Sequence, residues 1–189
     1  MMASIPQDEL IQVLSRFRNS KDSDIEEFLN RKALMYEERH WCSTYVLVNE
    51  ERFMSGDTWI EGYFTLSNKV IEIGEKVSNN QRKRISNGLK KDDNFMHMIL
   101  IGQLGKYIDE STNTISSISA TELLDKAFEI IEEVNERIVA RCVMLECRKC
   151  LEKDMVDAQK RQNLHEIYIA YGFKPLQDDG DLTQYYKII

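Results

Sequence analysis

Tyr168-Ile169-Ala170-Tyr171-Gly172-Phe173-Lys174-Pro175, close to the C-terminus, decides how this chain folds. An aromatic, three residues and then Gly-Phe fits a helix that ends on a glycine, which enters the left-handed region without a Cβ penalty. A strand then starts at Phe173, turns at Asp178-Asp179-Gly180-Asp181 and returns over 183–188. The tail therefore predicts helix, strand, turn and strand.

Upstream, 151–162 is charged and reads as a helix leading into the one that carries Tyr168. Residues 138–147 predict a strand with Val139, Val143 and Leu145 apolar. Ser119 with Glu122 is a capping box, and Leu123, Leu124, Ala127, Phe128, Ile131 and Val134 continue it at helical spacing. Residues 95–107 read as a long strand centred on Met98-Ile99-Leu100-Ile101, followed by a polar loop at 109–114. The stretches 44–48 and 58–66 are rich in β-branched and aromatic residues around a polar loop with Gly56-Asp57, which predicts an antiparallel pair. Val70-Ile71-Glu72-Ile73 extends the second of these or forms a further short strand, and a short helix is expected at 81–89. In the first 40 residues two short helices are expected. Pro6 starts one with Leu10, Val13, Leu14 and Phe17, and Ser23 with Glu26 boxes a second with Ile25, Phe28, Leu29 and Ala33. The order predicts a mixed α/β (α+β) fold, a sheet with helices packed on it. One domain is expected over 1–189, with 1–20 as an N-terminal helical extension.

The tail, together with the strand–loop–helix at 96–134, resembles the GNAT superfamily of acyl-CoA-dependent N-acetyltransferases. The resemblance covers roughly residues 22–188. It implies a central mixed, mostly antiparallel sheet with helices on both faces and a splayed strand pair. Leu100-Ile101-Gly102-Gln103-Leu104-Gly105-Lys106-Tyr107 resembles the family's central strand, whose backbone pairs with the pantetheine arm. This places Gln103, Leu104, Gly105 and Lys106 along acetyl-CoA, and glycines 102 and 105 suit a close approach of backbone or ligand. The family's Gln/Arg-x-x-Gly-x-Gly/Ala loop, which holds the pyrophosphate at a helix start, falls on Ser117, Ile118, Ser119, Ala120 and Thr121. Only Ala120 fits it; Ile118 stands where the first glycine belongs and Ile115 where Gln/Arg belongs. Asp109, Glu110, Glu122 and Asp125 flank the loop against Lys106 and Lys126, and the capping box takes up some of its N–H groups.

The resemblance implies transfer of an acetyl group from acetyl-CoA to an amine acceptor that the sequence does not identify. It implies Tyr168 as the general acid toward the CoA thiolate; the alternative is an aromatic packed on its helix's inner face. Glu61 and Glu146 are the candidates for a base acting through water, or else solvated strand-end charges. Two other readings stand beside this one. The first is a toxin-like member that acetylates aminoacyl-tRNA and has an antitoxin partner. The second is a non-catalytic GNAT-like binding protein, a homodimer.

Composition narrows the partners. A formal charge of −7 and a pI near 5.1 disfavour attraction to nucleic-acid backbone, with tRNA the exception considered. Arg82-Lys83-Arg84 with Lys90-Lys91 is the basic cluster, read by default as a solvated helix face. Cys147-x-x-Cys150 has no second pair, so no metal is expected and Cys42, Cys142, Cys147 and Cys150 read as reduced. His97 and His165 have no partner motif and read as packing or surface residues. No apolar run approaches the ~18–20 residues of a membrane span, and Met1-Met2-Ala3-Ser4-Ile5-Pro6 lacks signal-peptide character. The expected compartment is the cytoplasm.

Overall fold

The computed structural model describes residues 6–88, 94–137, 139–149 and 155–189. In chain order they form α1 (Gln7–Leu14), α2 (Ser23–Glu27), a π turn (Phe28–Lys32), α3 (Ala33–Glu38), β1 (Ser43–Val48), α4 (Glu50–Met54) and β2 (Ile60–Glu72). There follow α5 (Asn79–Ser86), β3 (Phe95–Lys106), a small hairpin of β4 (Ile108–Asp109) and β5 (Thr114–Ile115), and α6 (Ala120–Asn135). β6 (Cys142–Arg148), α7 (Met155–Ala170), β7 (Lys174–Asp179) and β8 (Leu182–Ile188) complete the chain. Six strands make one mixed sheet in the order β1-β2-β3-β6-β8-β7, the mixed α/β architecture expected. β1/β2, β6/β8 and β7/β8 pair antiparallel, and β3 pairs parallel with β6. That parallel ladder covers Ile99–Ile101 against Val143–Leu145, in strands of 12 and 7 residues. The chain divides into two compact units, Met1–Leu66 with Gln103–Ala127, and Ser67–Gly102 with Phe128–Ile189.

In the first unit, Leu14, Phe17, Phe28, Leu29, Ala33, Ile60 and Tyr63 form a buried cluster. Phe17 meets the Tyr63 ring edge-on at 5.4 Å and Phe28 lies parallel to it at 6.2 Å, the two arrangements that the ring quadrupole favours. The buried Tyr63 hydroxyl donates to the Ile25 carbonyl at 2.7 Å, so its polar end is satisfied. The expected Ser23–Glu26 box is replaced by a cap one residue earlier. Asp22 has the extended backbone that a cap needs, and its carboxylate accepts from the Asp24 and Ile25 amides at 3.1 and 3.4 Å. Glu26 instead accepts from the Asn19 amide at 2.8 Å. Asn19 is itself buried; its side chain donates to the Lys106 carbonyl at 3.0 Å and accepts from the Lys21 and Asp22 amides. The single second helix expected here is broken by the π turn, which buries Phe28 and Leu29 together.

The second unit packs Ile71, Ile73, Val77, Ile85, Met98, Cys142, Met144, Leu176 and Tyr186. Val70-Ile71-Glu72 does extend the second strand. β6 starts later than expected, and Val139 lies 89% exposed before it. α5 ends at Asn87 in the left-handed conformation, while Leu89, Lys90, Lys91, Ile138 and Cys150 lie outside the described residues. Arg82 is not a solvated charge: its guanidinium donates to the carbonyls of Ile73, Gly74 and Val77 and to Asn94 Oδ1, at 2.6–3.1 Å. The tail folds as its residues require. Gly172 takes φ +100°, and the Phe173 and Gly172 amides donate to the Tyr168 and Ile169 carbonyls, both at 3.0 Å. These crossed bonds are the Schellman ending of α7.

Candidate functional site

The residues read as cofactor-binding lie in the first unit. Gln103 donates its amide to Thr65 Oγ1 at 2.9 Å. Leu104 is half-buried and Gly105 is buried. The close approach expected at Gly105 comes from inside the protein: a Cβ there would lie 2.2 Å from Ile25 Cγ2. A Cβ on Gly62 would lie 3.0 Å from both the Gly105 carbonyl and Leu123 Cδ2. Lys106 reaches over the loop before α6, its ammonium donating to the Ser116 and Ile118 carbonyls at 3.3 and 3.2 Å. Ile118 is buried, so the residue in place of the family's glycine is a core side chain.

The capping box at the start of α6 is present in full. The Ser119 amide donates to Glu122 Oε2 at 2.7 Å and the Glu122 amide to Ser119 Oγ at 3.1 Å. The first of these bonds holds the Glu122 carboxyl below the usual range, against the slight pull of desolvation. The Ile118 amide donates to Ser116 Oγ and the Leu123 amide to the Ser119 carbonyl, so these donors at the start of α6 are satisfied within the protein. Glu61 is the extra residue of a β-bulge, since Leu47 pairs with Gly62 and Val48 with Ile60. Bulges re-aim side chains; here the half-buried carboxylate accepts from Asn49 Nδ2 at 3.2 Å.

Tyr168 and Glu146 lie in the second unit. Tyr168 is buried with its ring 6.3 Å from Phe173 and 6.2 Å from Tyr185. Burial pushes its phenol well above the ordinary tyrosine value, with smaller contributions from Cys147 and Tyr185. Beside it the Tyr185 hydroxyl hydrogen-bonds His165 Nδ1, and His165 Nε2 lies 3.2 Å from the Arg148 carbonyl. A carbonyl only accepts, so Nε2 carries a hydrogen there. Glu146 is an ion-pair partner: its Oε1 lies 2.6 Å from Lys69 Nζ and accepts from Gln184 Nε2 at 2.9 Å. Lys187 donates to the Tyr171 carbonyl at 3.1 Å, with its ammonium 4.5 and 4.3 Å from the Phe128 and Tyr171 ring centroids. This places a cation on the last turn of the Tyr168 helix, where the dipole favours it. His165, Lys69 and Lys187 carry no sequence motif; their partners lie 20, 77 and 16 residues away.

No helix among the described residues is long and apolar enough to cross a membrane, and none of their His, Cys, Asp and Glu groups could hold a metal ion. No family model matches the sequence, and no curated protein matches it. Solved structures do. AtaT complexed with acetyl-methionyl-tRNAfMet is similar at a TM-score of 0.64 and 16% identity, over 93% of this chain and 86% of that one. AtaTR bound with AcCoA gives 0.62 and 17%, over 93% and 86%. A tyrosine-to-phenylalanine mutant of KacT gives 0.62 and 18%, over 92% and 86%. At such identities the likeness is one of fold, and the fold of this chain is the GNAT fold of the AtaT and KacT toxins.

Proposed function

We propose that the chain is an N-acetyltransferase that takes the acetyl group of acetyl-CoA to an amine, and that the amine is that of an aminoacyl-tRNA. The observation that carries the reading is Tyr168, a buried phenol held protonated beside a glycine-ended helix, on a fold that in AtaTR is bound with AcCoA. The acceptor class is supported by AtaT complexed with acetyl-methionyl-tRNAfMet. AtaT bound to the C-terminus of the antitoxin AtaR supports an antitoxin-type partner. The cytoplasm is the compartment that suits this substrate.

The residues present fit the cofactor. The start of α6 at Ser117, Ala120 and Thr121 suits the diphosphate, with the Lys106 ammonium bonded to the loop's Ser116 and Ile118 carbonyls. The strand end at Gln103, Leu104, Gly105 and Lys106 is the stretch proposed to run along its arm, although the Gln103 amide and the Lys106 carbonyl already have protein partners. Glu122 opposes an anion there, which predicts weak binding rather than none. Acetyl-CoA supplies a thioester-activated acetyl group. Tyr168 holds the proton that a leaving thiolate requires. Glu61, aimed by its bulge, accepts a proton from the amine through water. Glu146 is tied to Lys69 and serves in the second unit as an anchor for the ion pair rather than as a free base.

The test is calorimetric titration with acetyl-CoA alongside acetyl transfer to charged tRNA, for the wild type and Tyr168→Phe. Tyr168→Phe should bind normally and lose about 10²–10⁴-fold in turnover. Absence of heat at millimolar acetyl-CoA, or full activity in Tyr168→Phe, would overturn the reading.

A further inference from the structure

A cavity of about 290 Å³ opens in the first unit, and none of the side chains given a role above lines it. Four separate segments wall it: Arg16 after α1, Arg52 on α4 with Asp57 and Trp59 behind it, Tyr107 after β3, and Asp109 on β4. Trp59 and Tyr107 meet at 5.2 Å and 63°, an angled aromatic wall. The Arg52 guanidinium lies 4.5 Å over the Trp59 ring, and its ion pair with Asp57 is loose, at 3.9 Å with both side chains half exposed. We infer that this cavity binds a single nucleotide, a nucleoside monophosphate unit that is either free or the end of an RNA.

The chemistry of the wall selects that class. A flat base stacks on an indole or on a guanidinium plane, and such stacking tolerates any base. Arg16 and Arg52 offer forked donors to a phosphate, a geometry that lysine does not provide. Asp57 and Asp109 supply carboxylate acceptors for ribose hydroxyls. Asp109 Oδ1 accepts from the Ser111 amide and hydroxyl at 2.9 and 2.6 Å, which fixes the group. Two arginines against two aspartates make a balanced site, so it suits one phosphate and not a run of them. That agrees with the acidity of the whole chain. The size agrees too, lying at the low end of the roughly 300–1,000 Å³ of small-molecule pockets.

The chain has two tryptophans, and Trp41→Phe leaves Trp59 as the reporter. Trp41 is half exposed against Tyr36 and Arg39, so the replacement is mild. Titration of this variant with AMP should quench Trp59 fluorescence at millimolar ligand or below, and less so as salt rises. Arg16→Ala should weaken binding about tenfold, and Arg16→Lys by less, with melting temperature unchanged. Repeating the titration with CoA, and with a short single-stranded RNA, distinguishes the sources: displacement by CoA assigns the site to a free nucleotide cofactor, and displacement by RNA but not CoA assigns it to an RNA end. No quench at high millimolar AMP, equal quenching by inorganic phosphate, or unchanged affinity in Arg16→Ala would overturn the inference. The readout needs no thioester. Heat from acetyl-CoA without an AMP response would sink this site and leave the proposed acyl transfer standing.

Discussion

Gly105→Ala puts the packing of the first unit to a quantitative test. The added Cβ would lie 2.2 Å from Ile25 Cγ2, so Ile25 must recede by about 1.2 Å to reach the 3.4 Å of ordinary contact. Ile25 sits in α2, and its carbonyl is the acceptor for the buried Tyr63 hydroxyl. Overpacking costs about 1–3 kcal/mol, and weakening a buried hydrogen bond adds about 1–3 kcal/mol. Losing glycine's freedom in a strand returns about 0.5–1 kcal/mol. The expected net loss is about 1–5 kcal/mol, read as a lower urea midpoint with an unchanged slope. Removing the obstructing methyl with Ile25→Ala should make the double variant more stable than the sum of the singles by about 1–2 kcal/mol. A Gly105→Ala protein as stable as the wild type, or two costs that add within about 0.5 kcal/mol, would refute the close contact and the argument built on it.

Gly172→Ala tests a different cost, because a Cβ there meets only Lys187 at 3.6 Å while φ is +100°. The loss should be about 1–2 kcal/mol from backbone strain, checked by urea denaturation, and Gly172→Asn should lose less. Glu122→Gln should alter the acid limb of stability. Its folded carboxyl is held below the ordinary 4.5, so its contribution is present above that value and is lost as pH falls through the folded one. Melting temperature against pH should therefore fall less steeply below 4.5 in Glu122→Gln than in the wild type.

The features legible in the sequence were those written in short-range rules. Tyr168 to Phe173 specified its own helix ending, since a glycine two residues past the last turn admits few conformations. Ser119 and Glu122 specified theirs through a reciprocal pair three residues apart. The 95–107 stretch read as one strand because its apolar centre is continuous. The same rules failed where two local candidates compete. Asp22 and Ser23 can both cap, and the buried turn at Asn19, a tertiary feature, decides between them. Val139 looks like strand but finds no core, so β6 waits until Cys142. Arg82 looked like surface because the carbonyls it gathers converge only after folding. Glu146 and Lys69 are 77 residues apart, and the cavity around Trp59 draws on four segments. No spacing rule encodes such meetings.

The lysine brace under the α6 loop bears on attempts to remodel it. Grafting the glycine-rich consensus onto this chain by Ile118→Gly would not recreate a glycine loop. It would excavate a hole beside Gly62, whose would-be Cβ already lies 3.5 Å from Ile118 Cγ2, and would leave Lys106 propping a segment that had lost its anchor. The loop and its support pack as a set, so an engineer seeking tighter diphosphate binding does better to neutralise Glu122 than to import glycines.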